Sequence, residues 1–170
     1  IDTADGNSTS GLAYALNVSS GTTVVTFAIS GAAANLRMIA SEFSGAATAS
    51  ALDQTASAIG SGASSANAGT VTPTTDGQVF LVAIHTSGGE NFTAGADFTI
   101  ATTVIVTAGS QRLLLEYYIQ PTAAGHATDV SWVTFKSWGI VAMTLKAPGA
   151  GRTTKNTRAW PLGTEIGMGW

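Results

Sequence analysis

Glu42 and Glu116 stand inside otherwise apolar stretches. Two carboxyl groups roughly 5–10 Å apart in a cleft are what glycoside hydrolysis needs. If both face solvent instead, they are ordinary strand residues, the commoner state for acids in strands. The histidines offer less. His85 ends an apolar run, His126 sits in a Gly-rich turn, and neither has a second His at metal-ligand spacing, so zinc has no local pattern. Asp2, Asp5 and Asn7 in DTADGN supply hard oxygens around a turn glycine, which suits Ca²⁺, but the spacing is not that of an EF-hand. A β-turn whose Asp and Asn side chains bond their own backbone is the stronger reading, and Asp53 and Asp76 are read the same way. No other cofactor is implied. The chain has no G-x-S-x-G pentapeptide for a nucleophile elbow and no cysteine for a thiolate nucleophile or zinc site. These residues together read as a chain that is not an enzyme.

The elements that position them read as strands. The 170 residues fit one domain, large enough to bury a core without staples. Charged residues make up 10%, against roughly 25% in ordinary domains, so the surface is neutral and hydroxyl-rich. Net charge is −3 and no Lys/Arg cluster exists, which argues against nucleic acid as a partner. No apolar run is long enough for a helical membrane span, and the N-terminus lacks the basic-then-apolar order of a signal peptide. The chain opens at Ile1 without an initiator Met, which fits a processed product or part of something longer.

Short runs of Val, Ile, Thr and aromatics recur between Gly, Ser, Asn and Asp clusters, the rhythm of an all-β protein. Strands are predicted over 12–18, 22–29, 36–43, 70–72, 78–86, 98–106, 112–119, 127–135 and 138–146. In DVSWVTF, Val130 and Trp132 oppose Val133 and Phe135; QVFLVAI and LLLEYYI are continuously apolar and belong at sheet centres. Residues 46–68 are rich in Ala but carry no large-residue stripe at helical spacing, so they read as a long surface loop, pinned to a sheet face by Leu52 and Ile59.

Several motifs carry a resemblance. They are an alternating Thr/Val strand after a glycine turn, Glu42-Phe43-Ser44-Gly45, the Leu52-Asp53 pair, the acidic-Tyr strand at Glu116-Tyr117, and Trp138 before the last apolar run. Over about residues 2–147 the chain resembles a jelly-roll β-sandwich module found in phage virion proteins and bacterial secreted proteins. The resemblance implies an antiparallel, jelly-roll-like sandwich of about eight strands over 1–147. The module usually opens with a further strand pair before the Asp-Thr-x-x-Gly-Asn turn; here IDTADGN comes first, so those strands are absent or supplied by another chain or by the tail.

Beyond the sandwich, 148–170 reads as an extended C-terminal arm. PGAGRTTKN is linker chemistry, and Arg158, Trp160, Leu162, Ile166, Met168 and Trp170 follow among Pro and Gly at roughly alternate spacing. Two unshielded tryptophans are a solubility liability, so the arm folds back on its own domain or docks on a neighbour; the linker's reach favours the neighbour. The expected function is a structural component of an extracellular assembly, a phage virion protein of the capsid-decoration (cement) or tail/fibre kind that contacts copies of itself or other virion proteins. The alternative is a carbohydrate-binding or adhesion module of a secreted bacterial protein, with Tyr118 and Trp138 as sugar platforms. Adjacent tyrosines point to opposite faces, so one of Tyr117 and Tyr118 is expected outward and the other in the core.

Overall fold

A computed structural model of the chain describes residues 2–4, 9–21, 24–26, 37–89, 91–105 and 111–148. The described residues are all-β, with no helix. In chain order the strands are β1 (Asp2–Ala4), β2 (Thr9–Gly11), β3 (Leu52–Val71), β4 (Gln78–Thr86), β5 (Thr99–Ile105), β6 (Arg112–Gln120) and β7 (His126–Leu145). β1 and β2 form a hairpin; the other five form one antiparallel sheet in the order β3-β7-β4-β6-β5.

β4 lies in the middle of that sheet, and all nine of its residues are buried, as a strand covered on both faces requires. β6 pairs along its whole length, with Val82 opposite Glu116 and Ile84 opposite Leu114. Both runs hold the central positions expected of them. On one face Phe80, Val82, Ile84, Leu114, Ile140 and Ala142 form the main core. On the other, Val79, Leu81, Met143 and Leu145 pack under Leu12, Leu16, Phe43 and Ala47, while Ala83 and Val141 pack under Leu12 and Ile39.

β7 joins two strands expected to be separate, 127–135 and 138–146, and it is not straight. Twenty residues of flat strand would span about 66 Å. Yet Thr144, near one end, is laddered to Phe80, while the ring of His126, at the other end, lies 5.9 Å from the Phe80 ring. The β3–β7 ribbon therefore folds back over the sheet it belongs to. Its distal residues Ala66, Val71, Val130 and Trp132 share one core cluster with Phe80 and Ile84.

The corner sits where the β3–β7 register breaks. Between the pairs Ala63–Lys136 and Ser65–Ser131, β3 advances by two residues and β7 by five. The surplus makes a wide bulge, which bends a strand and throws side chains outward. Gly62, with φ +65°, takes the left-handed turn on the β3 side.

Residues 46–68 are not the expected surface loop, since β3 begins at Leu52. The alternation that makes it a strand is built from small residues: Ala56, Ala58 and Gly60 face the core side while Ser57, Ile59 and Ser61 face out. Leu52 and Ile59 are exposed rather than pinning anything. Two other expected strands also differ. Residues 12–18 are not strand, and of 36–43 the described part, 37–43, forms no named strand; Leu12, Leu16, Ile39 and Phe43 nevertheless bury against the sheet. Alternation reports burial, not whether the backbone joins a ladder. Within 22–29 only 24–26 are described, without strand, and Val24 and Val25 are exposed.

Candidate functional site

Three local arrangements have chemical or recognition potential. The first lies beneath the folded-back ribbon. Glu116 is laddered between Val82 on β4 and Ile100 on β5 and is fully buried. Segment 91–98 closes over it: Gly95 N–H donates to Glu116 Oε2 at 3.2 Å, while Oε1 is buried without a hydrogen bond. The segment is fastened to β7 by Thr93 and Ser131, which exchange backbone hydrogen bonds of 2.8 and 3.1 Å. Gly95 passes so close to β7 that a Cβ there would overlap the Asp129 carbonyl. Burial pushes the Glu116 carboxyl up from an ordinary 4.5 to about 8; the Gly95 N–H opposes the rise and the negative Asp129 adds to it.

Next to this carboxyl is an aromatic nest. The His126 ring lies 4.7 Å from Tyr118, 5.2 Å from Phe98 and 5.9 Å from Phe80. Its two nitrogens face oxygen partners, Nδ1 the Ala127 carbonyl at 2.8 Å and Nε2 the Asp97 carboxylate at 3.3 Å. Tyr118, one expected sugar platform, is thus half-buried in the core, and Tyr117 packs on the opposite face edge-on to Phe43 at 5.5 Å. The two tyrosines do take opposite faces, but both faces are covered. Trp138, the other expected platform, lies partly buried against the main core.

The second arrangement is the ribbon corner. Val133 is 81% exposed and Phe135 75% exposed, although Trp132 between β-bulge and core is buried. The edge of β3 runs alongside, and among the described strands it pairs only with β7. Sequence alternation placed Val133 and Phe135 on the face opposite Trp132; nothing in it showed that this face would be left uncovered.

The third is a polar knot around Asp53. Its carboxylate accepts the Thr74 N–H at 2.6 Å, the Thr74 hydroxyl at 2.7 Å and the Gln78 amide at 2.6 Å, with Lys146 Nζ at 3.4 Å. Burial would raise this carboxyl, but those donors and the Lys146 charge outweigh it and hold it at about 2. A half-open cleft of about 700 Å³ lies beside the knot, lined among others by Ser50, Thr74, Asp76 and Lys146. Asp76 itself accepts the Ala123 N–H at 2.7 Å, so both aspartates tie segments distant in the chain and not, as expected, the backbone of their own turns.

The remaining residues separate. Glu42 is exposed next to Phe43, which covers the face of the sheet opposite Glu116, so the two carboxyls form no catalytic pair. His85, buried at the end of β4, is hydrogen-bonded through Nδ1 to Ser10 Oγ, which ties the β1–β2 hairpin to the sheet. Among the described residues no three His, Asp or Glu side chains group as metal ligands; Asp5 and Asn7 lie outside them. The arm residues Arg158, Trp160, Leu162, Ile166, Met168 and Trp170 also lie outside the described residues. Comparison with protein-family models, with curated proteins and with solved structures finds no match to this chain.

Proposed function

We propose that the chain is a non-enzymatic structural component of an extracellular assembly, a phage virion protein of the capsid-decoration or tail/fibre kind, that binds copies of itself. The observation that carries this reading is the ribbon corner, where Val133 and Phe135 stand out from β7 beside the edge of β3. Burying two such side chains in a contact is worth about 1.5–3 kcal/mol each. From Gln54 to Val71 the edge strand carries no charged residue and no proline, the usual guards against pairing with another chain. A net charge of only −3 leaves little repulsion between copies.

The folding-back of the β3–β7 ribbon over its own sheet favours the jelly-roll-like reading that the motifs suggest, and the arm 148–170 is a second contact element in this proposal. The lectin-like alternative has less support, because Tyr118 and Trp138 pack against the core instead of presenting open ring faces.

Sedimentation velocity of the full chain tests the reading. Self-association at micromolar concentration is expected, with Val133→Ser/Phe135→Ser monomeric and unchanged in far-UV circular dichroism. A wild type that stays monomeric, or a double variant that associates equally well, overturns it. Electron microscopy of the native source then places the chain on a particle, in a filament or alone.

A further inference from the structure

We propose that Glu116 is a proton-operated latch: protonated, it lets segment 91–98 and the distal half of β7 close over the sheet, and ionised, it drives that cover off. The geometry of the enclosure carries the inference. A fully buried carboxyl with one backbone donor and one oxygen lacking a hydrogen bond can be accommodated as a neutral acid. As an anion it would stand in an apolar enclosure with that single donor.

The neighbouring charges do not rescue the anion. β4 and β5 present Val82 and Ile100 at the paired positions. On β6, Tyr118 follows on the same face, and Arg112 near the strand's start donates to Asn91 Oδ1 at 2.8 Å. The distal half of β7 brings Asp129, a like charge, and His126, whose Nε2 is 3.3 Å from Asp97 of the covering segment. The balance on the ionised acid is repulsive.

What gives way is set by the ladders. β6 is paired with β4 along its whole length and with β5 from Arg112 to Tyr117, so Glu116 cannot leave without breaking the sheet. The cover is held to β6 more lightly, by the Gly95 N–H to Glu116 Oε2 bond and by the Arg112 guanidinium donating to Asn91 Oδ1, while the Thr93–Ser131 pair joins its two parts to each other. Segments with few backbone hydrogen bonds open first. Opening would uncover Phe80, Val82, Phe98 and Trp132.

Carbon-13 NMR of the full chain between pH 5 and 10 reads the latch directly. The Glu116 carboxyl is expected to titrate near pH 8. The Ala94 and Val130 methyls, which belong to the cover, should move with the same midpoint, while the Val79 methyls on the opposite face stay in place. In Glu116→Gln the cover methyls should not move. Titration of Glu116 in the ordinary carboxylate range, titration without movement of the cover, or the same movement in Glu116→Gln overturns the proposal. Should Glu116→Gln fail to fold, Asp129→Asn decides: removing the like charge should lower the midpoint of both carboxyl and methyls together, and an unchanged midpoint overturns the latch.

Discussion

Trp138 occupies the space that a side chain at Gly60 would need. The two are cross-strand partners at the ribbon corner, and a Cβ on residue 60 would overlap the indole, lying 2.6 Å from Cε2 and 3.0 Å from Nε1. Glycine therefore lets the indole lie flat on β3 at the bend. Gly60→Ala brings two opposed effects. Restricting the unfolded chain would stabilise by about 0.4–1 kcal/mol, whereas overpacking costs about 1–3 kcal/mol. Overpacking wins, so urea unfolding should show a net loss of about 1–2 kcal/mol. Adding Trp138→Leu should recover part of it, since the paired substitutions share one space. A neutral or stabilising Gly60→Ala would mean that the indole moves aside freely.

A second close approach holds the cover over Glu116. Gly95→Ala would drive a Cβ into the Asp129 carbonyl, and that carbonyl belongs to β7 rather than to a flexible side chain. Segment 91–98 should lift, losing the Gly95 to Glu116 hydrogen bond and the packing of Phe92 and Ala94. The expected loss is about 2–4 kcal/mol, from overpacking plus one broken hydrogen bond to a buried group. Hydrogen exchange checks the location: the Ser131 amide, bonded to Thr93, should lose protection while β4 amides keep theirs. Uniform loss across the sheet would show global weakening instead.

How much of this was legible in the sequence depended on side-chain size and chain distance. β4 and β6 were legible because Val, Leu, Ile and Phe fill both faces of a central strand, a pattern that little else produces. β3 was not, because its inward residues are Ala56, Ala58 and Gly60. Their alternation is regular, but their small volumes leave a hydrophobic pattern too shallow to separate from a loop. Of its large apolar residues, Leu52 and Ile59 face solvent and point the reading to the wrong face. Glu116 was recognised as an acid in an apolar strand, yet its burial is decided by Gly95 and Asp129, which belong to other parts of the chain. Nothing local in LLLEYYI announces them. The ribbon corner was hidden for the same reason, since the bulge is a mismatch between β3 and β7 and neither strand alone contains it.

Asp53 gives the chain an acid-sensitive fastening. Its folded carboxyl is held at about 2, below its ordinary 3.8, so the folded state favours the ionised form. That stability is present above about pH 4 and is lost as pH falls through 2, for a total of about 2 kcal/mol. Asp53→Asn should remove it: the variant is expected to be less stable at neutral pH and to lack the wild type's decline between pH 4 and 2. Chemical denaturation at a series of acid pH values separates the two curves. Parallel curves would place the acid sensitivity in other carboxylates.

Glu116 acts with the opposite sign in a different window. The unfolded chain releases this proton near pH 4.5, whereas the folded chain holds it until about 8. Between those values the unfolded state binds fewer protons, so stability should fall as pH rises and level off above 8. The decline is on the order of 2–5 kcal/mol, because each pH unit of separation is worth about 1.4 kcal/mol. It does not overlap the Asp53 window, which lies below pH 4. Glu116→Gln keeps an acceptor for the Gly95 N–H and removes the ionisation, so its unfolding free energy should be flat from pH 5 to 8 and exceed the wild type's at pH 8. Urea midpoints at pH 5, 6.5 and 8 for both proteins decide it. A wild type equally stable at pH 5 and 8, or a Gln variant with the same slope, would show that water reaches the carboxyl and that the enclosure around Glu116 is open in solution.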